Sequence, residues 1–567
     1  MTNKLSYSCG TGDIPLLGMC IGQVLDESAA KYPDQDALVV RHQKLRYSYG
    51  DLRDKVERAA RGLMHLGIQK GDRIGIWATN CAEWVITQFA TAKIGAILVN
   101  INPANRAFEL EYVLKQSECQ TLLLIENFRD NNYLAAIRQI CPEIENSEPG
   151  ALESPNLPLL RRLIFIGGPA PKGMIAWDDM VCTGDQVPVE DLRQRESQQE
   201  FDDAINIQYT SGTTGFPKGA TLSHHNIVNN ALLIANAMRF TNRDRLCIPV
   251  PFYHCFGMVL ANMACVVSGA TMVVPAAFFE PEATLRAVHE ERCTALHGVP
   301  TMFIAELEHP LFAQVNLSSL RTGIMAGSPC PIEVMKRVVN QMHCRELTIA
   351  YGLTEASPVI TQTTPDDPIE LRVTTVGKVL PHTEVKLIEP LSKKIVPLGE
   401  NGELCTRGYH VMKGYYKNAE GTRGAIDEDG WLHTGDLAVM DEKGYCKITG
   451  RAKDMIIRGG ENIYPRDVEE FLYSCPGISA VQVVGVPDRK YGEQVVAWVK
   501  VEEGSSLTDD GIRAFCKDKI ADFKIPRYIK IVNEFPLTVT GKVQKFKIRE
   551  QMIKELGLES EAKIQTA

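Results

Sequence analysis

An eleven-residue segment, residues 209–219 (YTSGTTGFPKG), constrains this chain more than any other stretch. It contains three threonines, one serine, three glycines and one lysine. Residues 205–208 before it alternate as in a strand, and residues 226–237 after it have a helical pattern. Glycines allow a loop to turn its backbone N–H groups toward phosphate oxygens. We therefore predict a phosphate-binding loop between a strand and a helix, with a nucleoside triphosphate as its ligand.

This segment is not a Walker loop, because that motif requires Gly-x4-Gly-Lys-[Ser/Thr]. Here Pro217 precedes Lys218, and Gly219 follows it. A flexible surface loop rich in small residues is the alternative interpretation. The specific order of its residues, and the further motifs along the chain, favour a binding loop.

The composition limits the class of protein. A chain of 567 residues is too long for one hydrophobic core, so we expect two or more domains. A hydrophobic content of 44% and a charged content of 23% are typical of soluble globular proteins. The net charge of −9 argues against a general nucleic-acid binder. The sixteen cysteines form no CxxC pair and therefore suit a reducing compartment.

Neither the start of the chain nor its most apolar region predicts a membrane segment or a targeting segment. Residues 1–7 contain no long apolar stretch and no arginine-rich presequence. Residues 258–279 are the most apolar region, but polar residues, glycine and proline interrupt them. They make a poor membrane span. We predict a buried helix there, then a turn at Ser268 and Gly269, then a strand over residues 270–274.

Helical and strand-like patterns alternate over residues 45–140, which predicts an α/β fold with mainly parallel sheets. Residues 142–204 are less regular and are interpreted as an excursion before the loop. Short strands over residues 377–450 predict a small β-rich subdomain, and a compact α+β pattern follows. We therefore predict a large N-terminal domain over residues 1–450 and a small, mobile C-terminal domain over residues 451–567.

The loop is the first of several motifs that resemble the adenylate-forming superfamily, which includes acyl-CoA synthetases, luciferases and the adenylation domains of peptide synthetases. The resemblance covers almost the whole chain, and the motifs follow in the order of the family. They are residues 251–257 (PFYHCFG), 326–329 (AGSP), 351–355 (YGLTE), 434–436 (TGD), 450–454 (GRAKD), 459–465 (GGENIYP) and 536–542 (PLTVTGK). The resemblance implies ATP and CoA as co-substrates and Mg²⁺ as cofactor.

The resemblance also implies roles for individual residues. The Tyr351 ring would stack on the purine, the Asp436 carboxylate would accept hydrogen bonds from the ribose, and Glu355 would hold Mg²⁺, which prefers oxygen ligands. The residues expected to bind ATP or AMP are Thr210, Ser211, Gly212, Thr213, Thr214, Gly215, Lys218, Gly327, Ser328, Pro329, Tyr351, Gly352, Thr354, Asp436 and Arg451.

Two further groups of residues concern catalysis and the motion between domains. The resemblance gives Lys542, Glu355 and His254 catalytic roles, with Lys542 aimed at the charge that develops on the α-phosphate. Lys453 matches the position at which the family has its hinge residue between the large and the small domain. Gly459 and Gly460 would let the pantetheine of CoA pass close to the backbone, although a plain tight turn is the alternative there. A zinc site formed by His224, His225 and His254 is not supported by ligand spacing.

The amino-acid sequences of three segments, residues 223–230, 451–465 and 523–526, resemble those of the acyl-CoA synthetase family member 2 group of medium-chain fatty acid–CoA ligases. This implies a ligase that forms an acyl-adenylate and pyrophosphate from a fatty acid and ATP, and then acyl-CoA and AMP. The apolar candidates for the acyl pocket are Tyr253, Phe256, Met258, Gly323, Ile324 and Met325.

Several alternatives stay open at this point. A carrier-loading adenylation domain, a luciferase-like oxygenase and a nucleotide-binding scaffold without catalysis share some of these motifs. The expected compartment is the cytoplasm, or the mitochondrial matrix if the chain is a processed form. The setting of Lys542 also resembles a site of reversible acylation, which would make a lysine acyltransferase and a deacylase partners.

Overall fold

The computed structural model describes residues 4–210, 217–328, 330–390, 392–451, 454–458, 461–517, 519–538 and 541–563. Two large sheets form most of the N-terminal domain. The first has eight strands and is parallel except at one end, where two antiparallel strands close it. In spatial order its strands are Ile175–Ala176, Arg162–Phe165, Thr121–Leu124, Arg73–Trp77, Ile97–Asn100, Ala204–Thr210, Lys218–Ser223 and Gly414–Tyr415.

The second large sheet has nine strands, with a parallel centre and antiparallel strands at both edges. In spatial order its strands are Lys378–Val379, Val359–Gln362, Glu346–Gly352, Thr322–Met325, Ala295–Gly298, Arg245–Cys247, Thr271–Val274, Asp36–Val40 and Leu45–Ser48. The expected α/β class with mainly parallel sheets is therefore confirmed.

Helices fill the space between these two sheets and cover their outer faces. One apolar core contains residues of both sheets and of the helices Ile21–Lys31, Tyr49–His65, Ala82–Ile94 and His224–Ala237. Two other cores lie on the outer faces. The other α-helices of the N-terminal domain are Ala107–Gln116, Tyr133–Ile140, Trp177–Thr183, Val189–Ser197, Cys255–Gly257, Ala264–Ser268, Pro281–Glu290, Pro300–Glu308, Ile332–Gln341, Ile369–Thr374 and Ala419–Ala425.

Local sequence explains where several of these helices begin and end. Ser48 caps the helix Tyr49–His65, since its Oγ accepts from the Asp51 N–H at 3.1 Å while Asp51 accepts from the Ser48 N–H at 3.0 Å. Ser223 and Asn226 form the same reciprocal cap at the start of His224–Ala237. Gly269 ends the segment 255–268 in a left-handed conformation, as the predicted turn requires.

A third sheet forms the β-rich subdomain that the sequence predicts after residue 377. It has five antiparallel strands, and the first comes from the beginning of the chain. They are, in order, Tyr7–Cys9, Thr383–Ile388, Asn401–Gly408, Leu432–Met440 and Cys446–Arg451. The last strand ends at Arg451, so this sheet extends one residue past the predicted domain boundary, which stays a prediction.

The C-terminal domain is a smaller α+β unit. Its strands are Ile456–Arg458, Glu461–Ile463, Ile478–Asp488, Gly492–Val501 and Tyr528–Ile531, and its α-helices are Pro465–Tyr473, Asp509–Cys516 and Lys545–Glu555. Two apolar cores lie on the two sides of the long hairpin formed by residues 478–501. This agrees with the expected small domain.

Two local expectations are wrong. The glycine-rich loop does not lead from a strand to a helix, because Lys218–Ser223 is a strand that pairs antiparallel with Ala204–Thr210. The loop therefore joins two neighbouring strands, and the helix follows only after the second strand. The excursion over residues 142–204 is also more regular than expected, since it contains the strand Arg162–Phe165 and the helix Val189–Ser197, whose buried Leu192 packs in the main core.

The apolar region after residue 257 is a buried helical segment with an unusual centre. Residues Met258–Met263 form a π-helix between two short α-helical stretches, and all six are buried. π-Turns inside helices are rare and often occur at functional sites. Within the described part of the chain, no helix is long and apolar enough to cross a membrane.

Candidate active site

The two large sheets meet where two of their strands end. Thr210 is the last residue of one strand, and the strand Glu346–Gly352 leads into the short turn Thr354–Ala356. The Thr210 Oγ1 donates a hydrogen bond to Glu355 Oε1 at 3.1 Å. Ligands of open α/β sheets bind beyond the carboxyl ends of the strands. Thr210 and Glu355 are 145 residues apart in the sequence, so the segments that contain them meet at one site.

The Glu355 carboxylate has a second hydroxyl partner that the sequence did not reveal. Tyr415 Oη donates to the same oxygen, Oε1, at 2.9 Å, and Lys218 Nζ lies 5.1 Å from the centroid of the Tyr415 ring. Three side chains with oxygen atoms and one cation therefore form a compact group, namely Thr210, Glu355, Tyr415 and Lys218. Tyr415 is in a two-residue strand beside Lys218–Ser223 and has no motif of its own.

The predicted ribose site has a connected set of polar side chains. Tyr351 Oη donates to Asp436 Oδ2 at 2.7 Å, and Arg451 Nε lies 3.0 Å from Asp436 Oδ1. Burial raises the pKa of the Asp436 carboxyl, while Arg451 and Tyr351 oppose this effect. Burial and the Asp436 charge together raise the pKa of the Tyr351 phenol well above its ordinary value. The two partners thus hold a buried carboxylate in place.

A bulge in the strand Leu432–Met440 points Asp436 into the site. Cys405 pairs with His433 and Glu403 pairs with Leu437, so an interval of two residues on one strand lies opposite an interval of four residues on the other. Gly435 lies at the bulge with φ +69°, a conformation that glycine adopts without strain. Thr434 Oγ1 donates to the Leu404 carbonyl at 2.7 Å and fixes the bulge. Bulges commonly redirect side chains next to active sites.

Lys542 reaches this site from the C-terminal domain. A Cβ atom built on Gly327 would lie 3.5 Å from Lys542 Cε, so the lysine passes over the turn that contains Gly327 and Ser328. Thr301 Oγ1 donates to the Gly541 carbonyl at 2.9 Å and joins the two domains there. A Cβ at Gly541 would lie only 3.0 Å from Thr301 Oγ1. The glycine before Lys542 thus permits the close approach.

The surroundings of Lys542 bring the predicted catalytic groups together. Burial lowers the pKa of its ammonium below the usual range, and the charges that act on it include those of Asp436, Glu355 and Arg451. The structure therefore places a desolvated cation from the small domain among the carboxylates of the nucleotide site.

His254 lies beside this lysine and is held by its own backbone neighbours. It caps the following helix, since its Nδ1 accepts from the Phe256 N–H at 3.1 Å. Burial, and then the charge of Lys542, lower the His254 pKa to about 3. The Cys255 Sγ lies 3.7 Å from Thr354 Oγ1, which links this segment to the motif of Glu355. A neutral imidazole at the site fits a positioning role and excludes a role as a cation.

The structure brings some of the acyl-pocket candidates together and separates one. Phe256, Met258 and Ile324 belong to the main core, while Tyr253 is half-buried nearby and its carbonyl accepts from Asn100 Nδ2 at 3.0 Å. Met325 instead packs in the core on the other face of its sheet. Successive side chains of a strand alternate between faces, so the grouping of Met325 with Ile324 is corrected. Gly323 directly precedes Ile324 in this strand and is buried, and its φ is +156°.

His297 is a second residue that sequence reasoning missed. Its Nδ1 accepts from the Ile324 N–H at 3.1 Å, and its Nε2 donates to the Leu260 carbonyl at 3.0 Å. Its ring centroid lies 5.6 Å from that of Phe256. Burial lowers its pKa to about 4, which agrees with a neutral ring making both bonds. His297 thus joins the candidate pocket strand to the π-helix.

Some predicted residues lie outside the described part of the chain, namely Ser211, Gly212, Thr213, Thr214, Gly215, Pro329, Lys453, Gly459 and Gly460. Of the other predicted nucleotide residues, Thr210, Lys218, Gly327, Tyr351, Thr354, Asp436 and Arg451 make the contacts described above. Their individual roles stay predictions.

Comparisons with known proteins agree with this arrangement. Residues 25–416 match the family of AMP-binding enzymes, and residues 467–542 match the AMP-binding enzyme C-terminal domain. The chain is 53% identical over 545 residues to a Bacillus subtilis protein named acyl-CoA synthetase YngI, covering 96% of this chain and 99% of the relative. It is 44% identical over 561 residues to the human mitochondrial medium-chain acyl-CoA ligase ACSF2, covering 98% of this chain and 91% of the relative.

Two solved structures extend the comparison to three dimensions. The anthranilate CoA ligase AuaEII in complex with anthranoyl-AMP has a TM-score of 0.85 at 26% identity, covering 96% of this chain and 99% of that one. ATP-bound MatB from Rhodopseudomonas palustris has a TM-score of 0.80 at 27% identity, covering 95% of this chain and 100% of that one. With both family domains matched and the site in place, the chain belongs to the AMP-binding enzymes of the adenylate-forming superfamily, and among them to the acyl-CoA ligases.

Proposed function

We propose that this protein activates medium-chain fatty acids as acyl-adenylates with ATP and transfers them to CoA. The placement of Lys542 from the small domain beside Gly327, among Asp436, Glu355 and Arg451, is the observation that supports this most. Such an arrangement is suited to adenylation, the first half-reaction. The relatives named medium-chain acyl-CoA ligases support the class of acid.

In the first half-reaction the fatty acid carboxylate attacks the α-phosphorus of ATP, and pyrophosphate leaves. Asp436 would accept hydrogen bonds from the ribose hydroxyls, with Tyr351 and Arg451 fixing its orientation. The Lys218 ammonium, beside Tyr415, would hold the outer phosphates together with the loop. Negative charge develops around the α-phosphorus in the transition state. A cation that is already desolvated, such as Lys542, stabilises that charge more than it stabilises the ground state.

Mg²⁺ fits the residues at the phosphate end of this site. The donors are hard oxygen atoms, namely the Glu355 carboxylate and the Thr210 hydroxyl, which is the set that Mg²⁺ prefers beside phosphate. Both observed hydrogen bonds to Glu355 use Oε1, which fixes the direction of the carboxylate. When bound, the ion would supply charge neutralisation for the leaving pyrophosphate.

In the second half-reaction the CoA thiol attacks the acyl carbonyl of the adenylate, and AMP leaves. The present arrangement has Lys542 in the nucleotide site, so thiol attack would require the small domain to rotate. Lys453 would serve as the hinge, and Gly459 and Gly460 would then line the path of pantetheine. Domain rotation that exchanges one set of residues for another is an established type of gating.

The acyl chain would enter beside Tyr253 and end near Phe256. The Phe256 and His297 rings are in contact, and His297 is held in position because its Nδ1 accepts one hydrogen bond and its Nε2 donates another. A rigid apolar wall of this kind limits chain length, because overpacking a core costs about 1–3 kcal/mol. We expect Phe256→Ala to extend the preferred acid by a few carbons, measured as kcat/KM across straight-chain acids. An unchanged preference would exclude Phe256 from the pocket end.

Two further expectations from the sequence stay predictions. One is the cytoplasmic location, with the mitochondrial matrix as the alternative. The other is control by acylation of Lys542, which would remove the charge that adenylation needs. Mass spectrometry of acyltransferase-treated protein that finds Lys542 unmodified would contradict the second.

The experiment that tests the proposed function is pyrophosphate release with ATP and Mg²⁺ over short-, medium- and long-chain acids, with and without CoA. Release that is greatest for medium-chain acids, with acyl-CoA formed only when CoA is added, is the expected result. Release without any acyl-CoA product would contradict the ligase reaction. Release that is greatest for another class of acid would contradict the chain length alone.

A further inference from the structure

Three potential metal ligands lie together on the third sheet, apart from the residues proposed to bind ATP. The strands Asn401–Gly408 and Leu432–Met440 pair antiparallel, with Cys405 directly opposite His433. Glu403 is two residues before Cys405 and therefore points to the same side of its strand. One ligand atom from each of the three residues lies within 4.8 Å of the others. No local sequence pattern predicts this group, because its members come from two segments that are far apart in the chain.

Two of the three distances between these atoms match a tetrahedral ion, and the third is within 4.8 Å. Cys405 Sγ lies 3.4 Å from His433 Nδ1, and Glu403 Oε2 also lies 3.4 Å from that nitrogen. Tetrahedral Zn²⁺, with bonds of about 2.0–2.3 Å to N, O and S, places neighbouring ligand atoms about 3.3–3.6 Å apart. We propose that Cys405, His433 and Glu403 bind a zinc ion, with water at the fourth position.

The identity of the donors selects the metal. Mg²⁺ and Ca²⁺ prefer oxygen donors alone, whereas thiolate with imidazole suits Zn²⁺. A thiolate and a carboxylate together balance the charge of a divalent ion. On binding, the Cys405 S–H bond breaks, an S–Zn bond forms, and the proton leaves to solvent. No change in oxidation state is involved.

The surroundings of the three ligands resemble those of built metal sites. His433 Nε2 lies 3.5 Å from Asp427 Oδ2, so the ring nitrogen that does not bind the metal can donate to a carboxylate. Such an outer carboxylate orients the imidazole in many zinc sites. Cys405 is fully buried against Ile388 and Trp431, while the His433 and Glu403 side chains keep 19% and 12% exposure. An ion and one water molecule can thus reach an otherwise dry site.

The Lys393 ammonium and the Gly435 backbone N–H also lie beside the cluster. Lys393 Nζ lies 3.9 Å from Glu403 Oε2 and would have to turn toward solvent, which its 60% exposed side chain permits. Glu403 Oε1 accepts from the Gly435 N–H at 3.3 Å and is free to keep this bond, because Oε2 is the oxygen nearest His433. The ion would therefore be accommodated without breaking the bulge that carries Asp436.

The test uses the full-length protein without a histidine tag, stripped with a chelator and then titrated with Co²⁺ and Zn²⁺. Co²⁺ bound to a thiolate has a charge-transfer absorption band that oxygen and nitrogen ligands alone do not give. We expect one equivalent of Co²⁺ with this band, displaced by Zn²⁺. Cys405→Ser should abolish the band, and His433→Gln should weaken Co²⁺ binding at least tenfold.

Cys446→Ser is the matched control, because Cys446 is equally buried in another strand of the same sheet and lies outside the cluster. This variant should bind Co²⁺ as the parent protein does. If Cys405→Ser does not fold, as judged by circular dichroism, His433→Gln decides the result. A band that survives in folded Cys405→Ser, Co²⁺ affinity that is unchanged in His433→Gln, or no Co²⁺–thiolate band in the parent protein would overturn the proposal.

Discussion

Replacing Tyr351 by phenylalanine isolates one hydrogen bond of the ribose site from the stacking surface of the ring. The bond from Tyr351 Oη to Asp436 Oδ2 is 2.7 Å long and has a carboxylate as acceptor. The change keeps the aromatic face intact. Asp436 then has only the Arg451 guanidinium, 3.0 Å from its other oxygen, among the partners described above. The carboxylate should become freer to rotate away from the ribose.

The expected size follows from the type of bond. Hydrogen bonds to charged groups contribute about 1.5–3 kcal/mol. Because Arg451 still holds Asp436, we expect the lower half of that range, which corresponds to a roughly 10- to 40-fold loss of kcat/KM for ATP. The loss should appear in the ATP-dependent half-reaction, measured as ATP–pyrophosphate exchange with a saturating acid. The KM for the acid should change little.

Tyr445→Phe is the matched control, since Tyr445 Oη also donates to a carboxylate, that of Asp367, outside the site. Both variants should lose similar stability in urea unfolding, but only Tyr351→Phe should lose exchange activity. Equal exchange activity in Tyr351→Phe and the parent protein would refute the inference that this hydroxyl orients Asp436. Tyr351→Leu, which also removes the ring, should lose more than Tyr351→Phe.

Three further predictions concern the domain contact, the catalytic charge and a buried histidine. Lys542→Met should lower acyl-adenylate formation about 10²- to 10³-fold, measured by pyrophosphate release, and should leave CoA transfer from supplied acyl-adenylate largely intact. Thr301→Val removes the bond to the Gly541 carbonyl and should slow adenylation alone by about 2- to 10-fold in the same pair of assays. Burial lowers the pKa of His297 to about 4, whereas an unfolded histidine has a pKa of about 6.5, so between these values the unfolded chain binds more protons than the folded one. The free energy of unfolding should therefore fall by roughly 3 kcal/mol through this residue as the pH drops from about 6.5 to about 4. His297→Gln should remove this contribution to the pH dependence, measured by urea unfolding.

Two of these variants have a matched control in the same chain. Lys545→Met removes a lysine that pairs with Glu469 and should leave both half-reactions near their parent rates. Thr183→Val removes a threonine hydroxyl that bonds only within its own helix end and should not affect adenylation. Equal loss in both half-reactions for Lys542→Met or Thr301→Val would contradict the assigned division. For His297, an acid-dependent stability equal to that of the parent protein would contradict the buried neutral ring.

Motif order predicted more of the site than local pattern did. The resemblance to the family predicts that Lys218, Glu355, Asp436 and Lys542 share one site. In the structure Asp436 and Glu355 lie close enough to Lys542 for their charges to act on it, and Lys218 lies beside Tyr415, which donates to Glu355. The roles of these residues stay predictions. Tyr415 escaped prediction because it contributes through strand pairing with the segment after Lys218, and no local sequence signal encodes such a contact.

Other differences have local physical causes. Met325 could have been separated from Ile324 by the two-residue period of a strand, which the pocket prediction did not apply. The strand that begins at Lys218 was missed because residues 218–223 (KGATLS) contain glycine and alanine, which have low strand preference, and only pairing with Ala204–Thr210 defines it. Predicting the Cys405 cluster would have required the pairing register of two strands that are far apart in the sequence, and a single sequence does not reveal that register.

The end of the strand Cys446–Arg451 has a consequence for the order of events in catalysis. Arg451 is the last residue of this strand and pairs with Asp436 on the neighbouring strand, and the proposed hinge, Lys453, follows two residues later in the sequence. The proposed contact of Asp436 and Arg451 with the ribose would therefore not depend on where the small domain lies. An adenylate formed while Lys542 is in the site would stay anchored as the lysine withdraws, so the reactive ester would not have to be released and recaptured between the two reactions. With the proposed hinge next to this ribose contact, the intermediate would be the stationary part of the cycle, and the catalytic groups of the small domain would be the moving part.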